Sequence, residues 1–393
     1  MYFYTNNFFM NYFSSNFTLG ILGGGQLGKM LLQVTSKLSI KTNILDPSEK
    51  SPCKNLCNEF TNGNLMDFNS VYEFGKKCDL VTFEIEHVNI EALEKLESEG
   101  ILVYPSSKTL KIIQNKGLQK QFFINNKIPT ANFWHFKSLK DFKSSSFKNE
   151  ISYPCVWKKT KFGYDGYGVE IIKSLKDLEK LPDNEFIIEE LIPFKKELAT
   201  TIVRNKSGEI EIFPLVEMDF NKESNQVEYV ICPAQIEKEL IDLGNKIALK
   251  VSKSFEHIGL LAIEMFLTKE NKILVNEVAP RPHNSAHYSI EACENSQFQQ
   301  HINSILNLSL GSSKANINAI MVNLVGGKGF SGPVVYKGIE KAMELDNVSV
   351  HIYGKSHTKP NRKMGHVTII DKDLKTGLKK AKSVKELIKI KTE

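Results

Sequence analysis

Residues 260–288 read "LLAIEMFLTKENKILVNEVAPRPHNSAHY": two apolar runs around a polar tip, then a stretch crowded with hydrogen-bonding side chains. With Glu270-Asn271 as a two-residue hairpin turn, antiparallel register pairs 268 with 273 and therefore 264 with 277. Glu264 and Glu277 then face each other on one side of the ribbon, with Cβ atoms about 4.5–5.5 Å apart. Two like charges so placed repel unless a cation lies between them. Mg²⁺, which takes one or two carboxylates with phosphate oxygens and water, suits the position. Asn276 and Asn284 offer further oxygens or hydrogen bonds. The plain alternative is an exposed hairpin with two solvated glutamates. Against it, Arg281, His283, Asn284 and His287 follow at once, a poor composition for turn filler. His283 and His287 could be read as zinc ligands, but H-x-x-x-H without a helix or a carboxylate partner is a weak signal. Arg281 suits a substrate or phosphate.

Upstream, "VWKKTKFGYDGYGVEII" (156–172) sets Lys158 at the end of an apolar run and Gly163, Gly166 and Gly168 between two strands. The N–H groups of such a loop can cover a triphosphate; a plain glycine-rich hairpin is the alternative. "FIIEELIPFKKEL" (186–198) runs a strand into Glu189, Glu190, Leu191 and Ile192, with Glu197 beyond. A strand-end backbone can read adenine, and a carboxylate can hold ribose hydroxyls.

Near the start, "ILGGGQLGKM" (21–30) fits G-x-G-x-x-G through Gly23, Gly25 and Gly28, between a strand and a helix. Asp46 stands about 20 residues on, so the dinucleotide fingerprint is formally complete. Taken alone, the turn suits an NAD-dependent oxidoreductase, or simply a tight strand-to-helix turn. Neither reading has a use for Glu264 and Glu277.

From Thr18 strands and helices alternate: strands at 18–24, 40–47, 78–86 and 101–106, helices at 26–38 and 89–100. Alternation of this kind implies a parallel sheet with helices on its faces. The middle of the chain is β-rich, with short runs at 153–160, 167–174, 185–192, 197–205 and 209–217, then a helix near 235–258, the 260–288 region and a helix over roughly 289–306. The last part is a smaller β-rich piece (319–327, 348–355, 363–370) with a Lys-rich helix. Residues 137–150 are the most loop-like. The expected division is a disordered extension at 1–17, or an upstream start codon mistakenly used; a parallel α/β domain at 18–110; a nucleotide-binding domain at 111–312 with a flexible lid at about 130–195; and a C-terminal β-rich domain at 313–393.

The chain has 393 residues, 41% hydrophobic and 24% charged, with a net charge of +6. Only Arg204, Arg281 and Arg362 are Arg among 51 basic residues, so each bidentate fork is worth locating. Lys is spread along the whole chain without a basic arm, which argues against nucleic acid. No apolar run reaches membrane-spanning length. The six cysteines lack framework spacing, as expected of free thiols in a reducing cytoplasm.

In order along the chain, "GILGGGQLGKML", "DLVTFEIEHV", "QNKGLQKQF", "FGYDGYGVEII", "NEVAPRPHNSAHY" and "YGKSHTKPNRKMGHVTI" resemble the ATP-grasp superfamily. Within it they look like the 5-(carboxyamino)imidazole ribonucleotide synthases of purine biosynthesis, over about Leu19 to Ile370. The fifth stretch is the most specific. The resemblance implies an ATP-grasp fold and ATP-dependent carboxylation of aminoimidazole ribonucleotide by a cytoplasmic homodimer using Mg²⁺. Lys116, Lys120 and Lys158 would contact ATP beneath the loop of Gly163, Tyr164, Asp165, Gly166 and Gly168. Glu189, Glu190, Leu191 and Ile192 would hold adenine and Glu197 the ribose. Glu264 and Glu277 would bind Mg²⁺, with Asn276 beside them. Tyr164, Asp165, Arg281, His283 and Asn284 would line the carboxylation site. Gly25, Gln26, Leu27 and Glu84 would meet the ribonucleotide, with Lys355 and Arg362 on its 5′-phosphate. Three positions depart from the family pattern: Lys116 replaces Arg, Tyr167 a basic residue, and Phe220 lies where a His is usual. Alternatives are another ATP-grasp ligase, such as a formate-dependent glycinamide ribonucleotide transformylase, and a silent nucleotide-binding homologue.

Overall fold

The structure is a computed structural model that describes residues 11–161, 163 and 168–393. Tyr164, Asp165, Gly166 and Tyr167 lie outside the described residues.

The N-terminal alternation folds as expected. Five parallel strands lie in the order Glu59–Asn62, Lys41–Asp46, Thr18–Leu22, Leu80–Phe83, Leu102–Val103. Thr18–Leu22 is buried at every position, as a central strand covered on both faces must be. The extension differs from expectation from residue 11 onward. Phe17 is buried against Leu19, Ile21 and the helix Gln26–Lys37, and Tyr12 meets its ring edge-on at 5.3 Å. Aromatic burial anchors this segment to the sheet, at roughly 1.5–3 kcal/mol for a ring of this size.

The central and C-terminal β-rich regions share one nine-stranded sheet. Its order is Ile273–Ala279, Gly259–Thr268, Phe194–Arg204, Val216–Asn221, Gln226–Cys232, Asn318–Val325, Lys363–Asp371, Val348–Ile352, with Ile210–Ile212 beside Phe194–Arg204. The seam between the regions is the antiparallel pair Gln226–Cys232 and Asn318–Val325. The helix Lys238–Phe255 covers one face, packing Ile247, Ala248 and Val251 against Ile263, Met265, Leu267 and Val275. Because side chains alternate along a strand, burying that face turns Glu264 and Phe266 to the other. A separate four-stranded sheet, Phe133–Phe136, Phe186–Glu190, Cys155–Lys159, Val169–Ile172, occupies the region expected to act as a lid.

Two local expectations are corrected. Residues 137–150 are not loop: Ser138 caps a helix at Leu139–Ser144 by accepting the Asp141 N–H, and Ser145 caps a 3-10 turn at Ser146–Asn149. The Ser-x-x-Asp spacing was the missed start signal. The helix foreseen over 289–306 is two, Ser289–Ala292 and Gln297–Ile305, interrupted where Cys293 bridges Ala315. Ser296 restarts it by accepting the Gln299 N–H. No described helix is long and apolar enough to cross a membrane.

Candidate active site

Glu264 and Glu277 are directly paired across the hairpin. The route to that register differs from the simple turn. Lys269, Glu270 and Asn271 form a three-residue loop closed by Thr268 N–H to Lys272 O, with Asn271 at φ +60°. Leu267 therefore pairs with Ile273, and a bulge restores 264 to 277 by leaving Asn276 as the extra residue. The bulge re-aims Asn276, whose Oδ1 accepts from Lys158 Nζ at 2.9 Å.

Charge is packed tightly around the pair. Lys116 Nζ bridges to Glu277, and His283 Nε2 lies 3.4 Å from Glu264 Oε1. Lys116 holds Glu277 below the ordinary carboxylate range. Burial, with Glu277 and Glu197 nearby, pushes Glu264 up. A cation between them would favour ionisation of both carboxylates, and with Lys116 the three side chains then sum to one negative charge. His287, the other half of the weak zinc reading, instead turns Nδ1 to Gln297 at 2.9 Å and lies tilted against His366 with ring centroids 4.6 Å apart.

Lys116 and Lys120 share one face of the helix Lys116–Asn125, four residues apart. Asn115 starts that helix by accepting the Leu118 N–H at 3.1 Å. Gln119 clamps the helix to the hairpin: its Oε1 accepts the Val278 N–H (3.1 Å) and its Nε2 donates to the Val278 carbonyl (3.2 Å). Lys120 and Lys158 converge on Glu189, at 3.1 and 2.8 Å. Glu189 is only 2% exposed. Burial would raise its pKa, but the two lysines outweigh that and hold it low. Lys120 is pulled down to about 8 by burial and the charge of Lys158, against Glu189. The side chain of Glu189 is thus a counter-ion to the lysines, so any adenine contact falls to the backbone after it. Glu190 accepts from Asn132 Nδ2 at 3.0 Å, and Leu191 and Ile192 follow the strand end. The Cα of Gly163 lies 3.8 Å from where a Cβ on Gly168 would stand, and the Gly168 carbonyl accepts the Lys159 N–H at 2.9 Å.

Glu197 pairs with Phe266 on the neighbouring strand, and Phe194 stacks on Phe266 with ring centroids 4.9 Å apart. Burial raises Glu197 from 4.5 to about 7. An acid whose pKa rises on folding contributes most below its unfolded value, and that contribution is lost as pH climbs through the folded one. Glu197→Gln, without nucleotide or divalent cation, is therefore expected to gain stability over the parent by about 1–2 kcal/mol at pH 7.5 and by little at pH 4.5. Urea unfolding at both pH values measures it; an equal difference at both would contradict the assignment.

The glycine turn is tied to carboxylates of the chain itself. Gly25 N–H donates to Glu84 Oε1 at 2.9 Å, and Gly24 N–H to Asp46 Oδ2 at 2.7 Å. Asp46 is spent on the turn, which leaves the dinucleotide reading without its ribose acid. A Cβ on Gly25 would lie 2.8 Å from Glu84 Oε1, and Gly23 sits at φ +98°; both positions need glycine. Leu27 packs its side chain into the core, while Gln26 beside it is half-buried. Burial raises the pKa of Glu84. Arg281 Nη2 pairs with Glu86 at 2.9 Å, joining the hairpin to the first domain. Asn284 exchanges two 2.8 Å hydrogen bonds with Asn323 across the seam. Lys29, one turn into the first helix, donates to the Ile352 carbonyl at 2.9 Å, bringing the 353–362 segment against the glycine turn. There Lys355 Nζ donates to Lys363 O (2.8 Å) and Arg362 Nη1 to His357 O (2.7 Å). Phe220 packs among apolar residues of the central sheet.

Three family models tile the chain: a ribonucleotide synthetase preATP-grasp domain over 17–114, an ATP-grasp domain over 121–298, and a phosphoribosylaminoimidazole carboxylase C-terminal domain over 319–380. N5-carboxyaminoimidazole ribonucleotide synthase of Synechocystis is 35% identical over 91% of this chain and 93% of its own length. The chain belongs to the N5-carboxyaminoimidazole ribonucleotide synthase family. The crystal structure of the synthetase from Thermotoga maritima matches with TM-score 0.86 and 41% identity, covering 96% of this chain and 99% of that one. The synthase of Aspergillus clavatus, in complex with ADP and 5-aminoimidazole ribonucleotide, matches with TM-score 0.84 and 31% identity over 95% and 98%. The phosphoribosylaminoimidazole carboxylase of Vigna aconitifolia, 37% identical over 91% of this chain, is longer; the match spans 64% of it. As an N5-carboxyaminoimidazole ribonucleotide synthase family member, the chain is an ATP-dependent ligase of the ATP-grasp fold. Reading the sequence missed the supports of the site: Glu86, Gln119, Thr130, Gln297 and Asn323. Thr130 accepts from Lys120 Nζ at 2.7 Å and donates to the Val275 carbonyl.

Proposed function

We propose that this chain couples ATP cleavage to carboxylation of 5-aminoimidazole ribonucleotide by bicarbonate, giving the N5-carboxylated ribonucleotide, ADP and phosphate. The facing pair Glu264 and Glu277 carries the reading, with Lys116 against Glu277 and His283 against Glu264. Bicarbonate is a poor electrophile; an oxygen of it attacks the γ-phosphorus, ADP leaves, and carboxyphosphate forms. Mg²⁺ at Glu264 and Glu277 would neutralise charge on the phosphates. Lys158 and Lys120 hold phosphate oxygens, and Glu189 keeps both ammonium groups aimed. Arg281 and His283 hold carboxyphosphate, or the CO₂ it releases, beside the exocyclic amine. The amine attacks carbon, phosphate departs, and the amine proton passes to a nearby base. The glycine loop, with Tyr164 and Asp165, excludes water from the intermediate. A cytoplasmic homodimer acting on diffusing small molecules is the setting this reading implies.

Labelled bicarbonate tests it. Each ADP released in the presence of aminoimidazole ribonucleotide should accompany one fixed carbon. Turnover of formate with glycinamide ribonucleotide would favour the transformylase, and ATP binding without turnover a silent homologue. Lys355 and Arg362 hold the substrate 5′-phosphate in this reading. Arg362→Ala should raise KM for aminoimidazole ribonucleotide about 10–100-fold, the loss of one charge-assisted contact of about 1.5–3 kcal/mol. KM for ATP should stay within about twofold; a parallel rise in both would remove Arg362 from the phosphate site.

A further inference from the structure

Gln297 opens the helix Gln297–Ile305 and is fully buried. Its side chain makes a three-point contact with the 283–287 segment. Oε1 accepts the backbone N–H of His283 at 2.8 Å, Nε2 donates to the carbonyl of His283 at 2.9 Å, and Nε2 lies 2.9 Å from His287 Nδ1. The first bond fixes the amide orientation, since only the oxygen accepts from an N–H. The NH₂ end then has two hydrogens for two acceptors, so His287 Nδ1 is the unprotonated nitrogen of a neutral ring. Burial also holds the His287 pKa well below its ordinary value. Gln297 is itself anchored: its N–H donates to Ser289 Oγ at 2.9 Å, and Ser289 Oγ donates to the Ala286 carbonyl at 2.5 Å.

Bonding both the N–H and the C=O of one residue is what a neighbouring strand does. Here a single side chain does it at His283, just beyond the end of the strand Ile273–Ala279. The backbone of His283 is extended (φ −132°, ψ 151°), its Nδ1 meets Ser285 Oγ at 2.9 Å, and its Nε2 faces Glu264. With backbone and Nδ1 both fixed, the ring has one direction left to present. We infer that Gln297 is a positioning residue for the carboxylation step, clamping His283 so that its Nε2 meets the activated bicarbonate at a set distance from Glu264. This rests on the carboxylation reading above. The bland alternative is a buried amide that only satisfies the core.

A double-mutant cycle separates the two. ADP release and labelled-carbon fixation are measured for the parent, Gln297→Asn, Gln297→Met, His283→Ala and the two doubles. Asn is too short to span both backbone groups, and Met fills the volume without hydrogen bonds. Each Gln297 change should lower carboxylation about 10–100-fold, the range expected when a reacting group shifts by about 1 Å. KM for ATP should stay within about twofold, and the ratio of ADP to carboxylated product should rise. In the His283→Ala background the same changes should alter that ratio less than about twofold; ADP release keeps the ratio readable when carboxylation is slow. If the Met variant does not fold, the Asn variant and its double complete the cycle. Equal effects in both backgrounds, or losses that track the folded fraction with ATP affinity falling alike, overturn the inference alone. A parent that fixes no bicarbonate overturns the carboxylation reading with it.

Discussion

Glu277→Gln is expected to lower ADP release dependent on bicarbonate and aminoimidazole ribonucleotide by about 100-fold or more. With both carboxylates ionised, as a bound cation would hold them, Glu264, Glu277 and Lys116 carry one net negative charge, and the substitution brings that sum to zero. A divalent cation then has no electrostatic reason to occupy the site, and charge developing on the γ-phosphate goes unopposed by several kcal/mol, at about 1.4 kcal/mol per tenfold in rate. Stability should change far less. The variant loses the Lys116–Glu277 bridge but also loses the repulsion that pushes Glu264 up, and Lys116 can turn to Glu264. Urea unfolding should therefore agree with the parent within about 2 kcal/mol. Steady-state ADP formation at saturating substrates reads the first effect. Activity within about tenfold of the parent would show that the pair is not the seat of phosphoryl transfer.

Glu189→Gln should produce the opposite profile, a large loss of stability. Its carboxylate is the shared counter-ion of Lys120 and Lys158, and all three side chains are less than a tenth exposed. Removing one partner from a buried ionic cluster leaves charge uncompensated, typically at about 3–5 kcal/mol. The pH dependence follows by sign. In the parent, the depressed Glu189 pKa contributes stability above its unfolded value of about 4.5, lost as pH falls through the folded value. In the variant Lys120, pulled down to about 8 even in the parent, loses its counter-ion and falls further, so the unfolded state binds more protons and stability climbs as pH rises. The deficit should thus shrink as pH rises from about 6 through 8 and stay level above that. Mg-ATP should also stabilise the variant, because phosphate oxygens take the place of the lost carboxylate. Unfolding curves at pH 7 and 9.5 measure both; a deficit under about 1 kcal/mol, or one unchanged with pH, would contradict the counter-ion role.

The parallel N-terminal sheet and the 264–277 pairing were legible because their signals are local and periodic. Strand–turn–helix alternation, and two carboxylates symmetric about a hairpin tip, need no knowledge of distant contacts. The tip itself was misjudged by one residue, and the bulge at Asn276 cancelled the error, something spacing alone does not encode. Ser138 and Ser296 gave ordinary capping signals that were overlooked in polar surroundings. The function of Asp46 was hidden, since an acid at that spacing serves a ribose or the glycine turn equally well until its hydrogen bonds are known. The amide clamps were illegible for a deeper reason. Gln119 and Asn323 reach groups 159 and 39 residues away and Gln297 a backbone 14 residues before it, and nothing about an amide side chain marks its partner.

Oxygen tracing gives the sharpest test of the chemistry placed at Glu264 and Glu277. With ¹⁸O-labelled bicarbonate, ATP and aminoimidazole ribonucleotide, one labelled oxygen should pass from bicarbonate into each inorganic phosphate released, because the attacking oxygen stays with phosphorus when carboxyphosphate breaks down. Product formed with unlabelled phosphate would mean that water, and not bicarbonate, receives the γ-phosphoryl group.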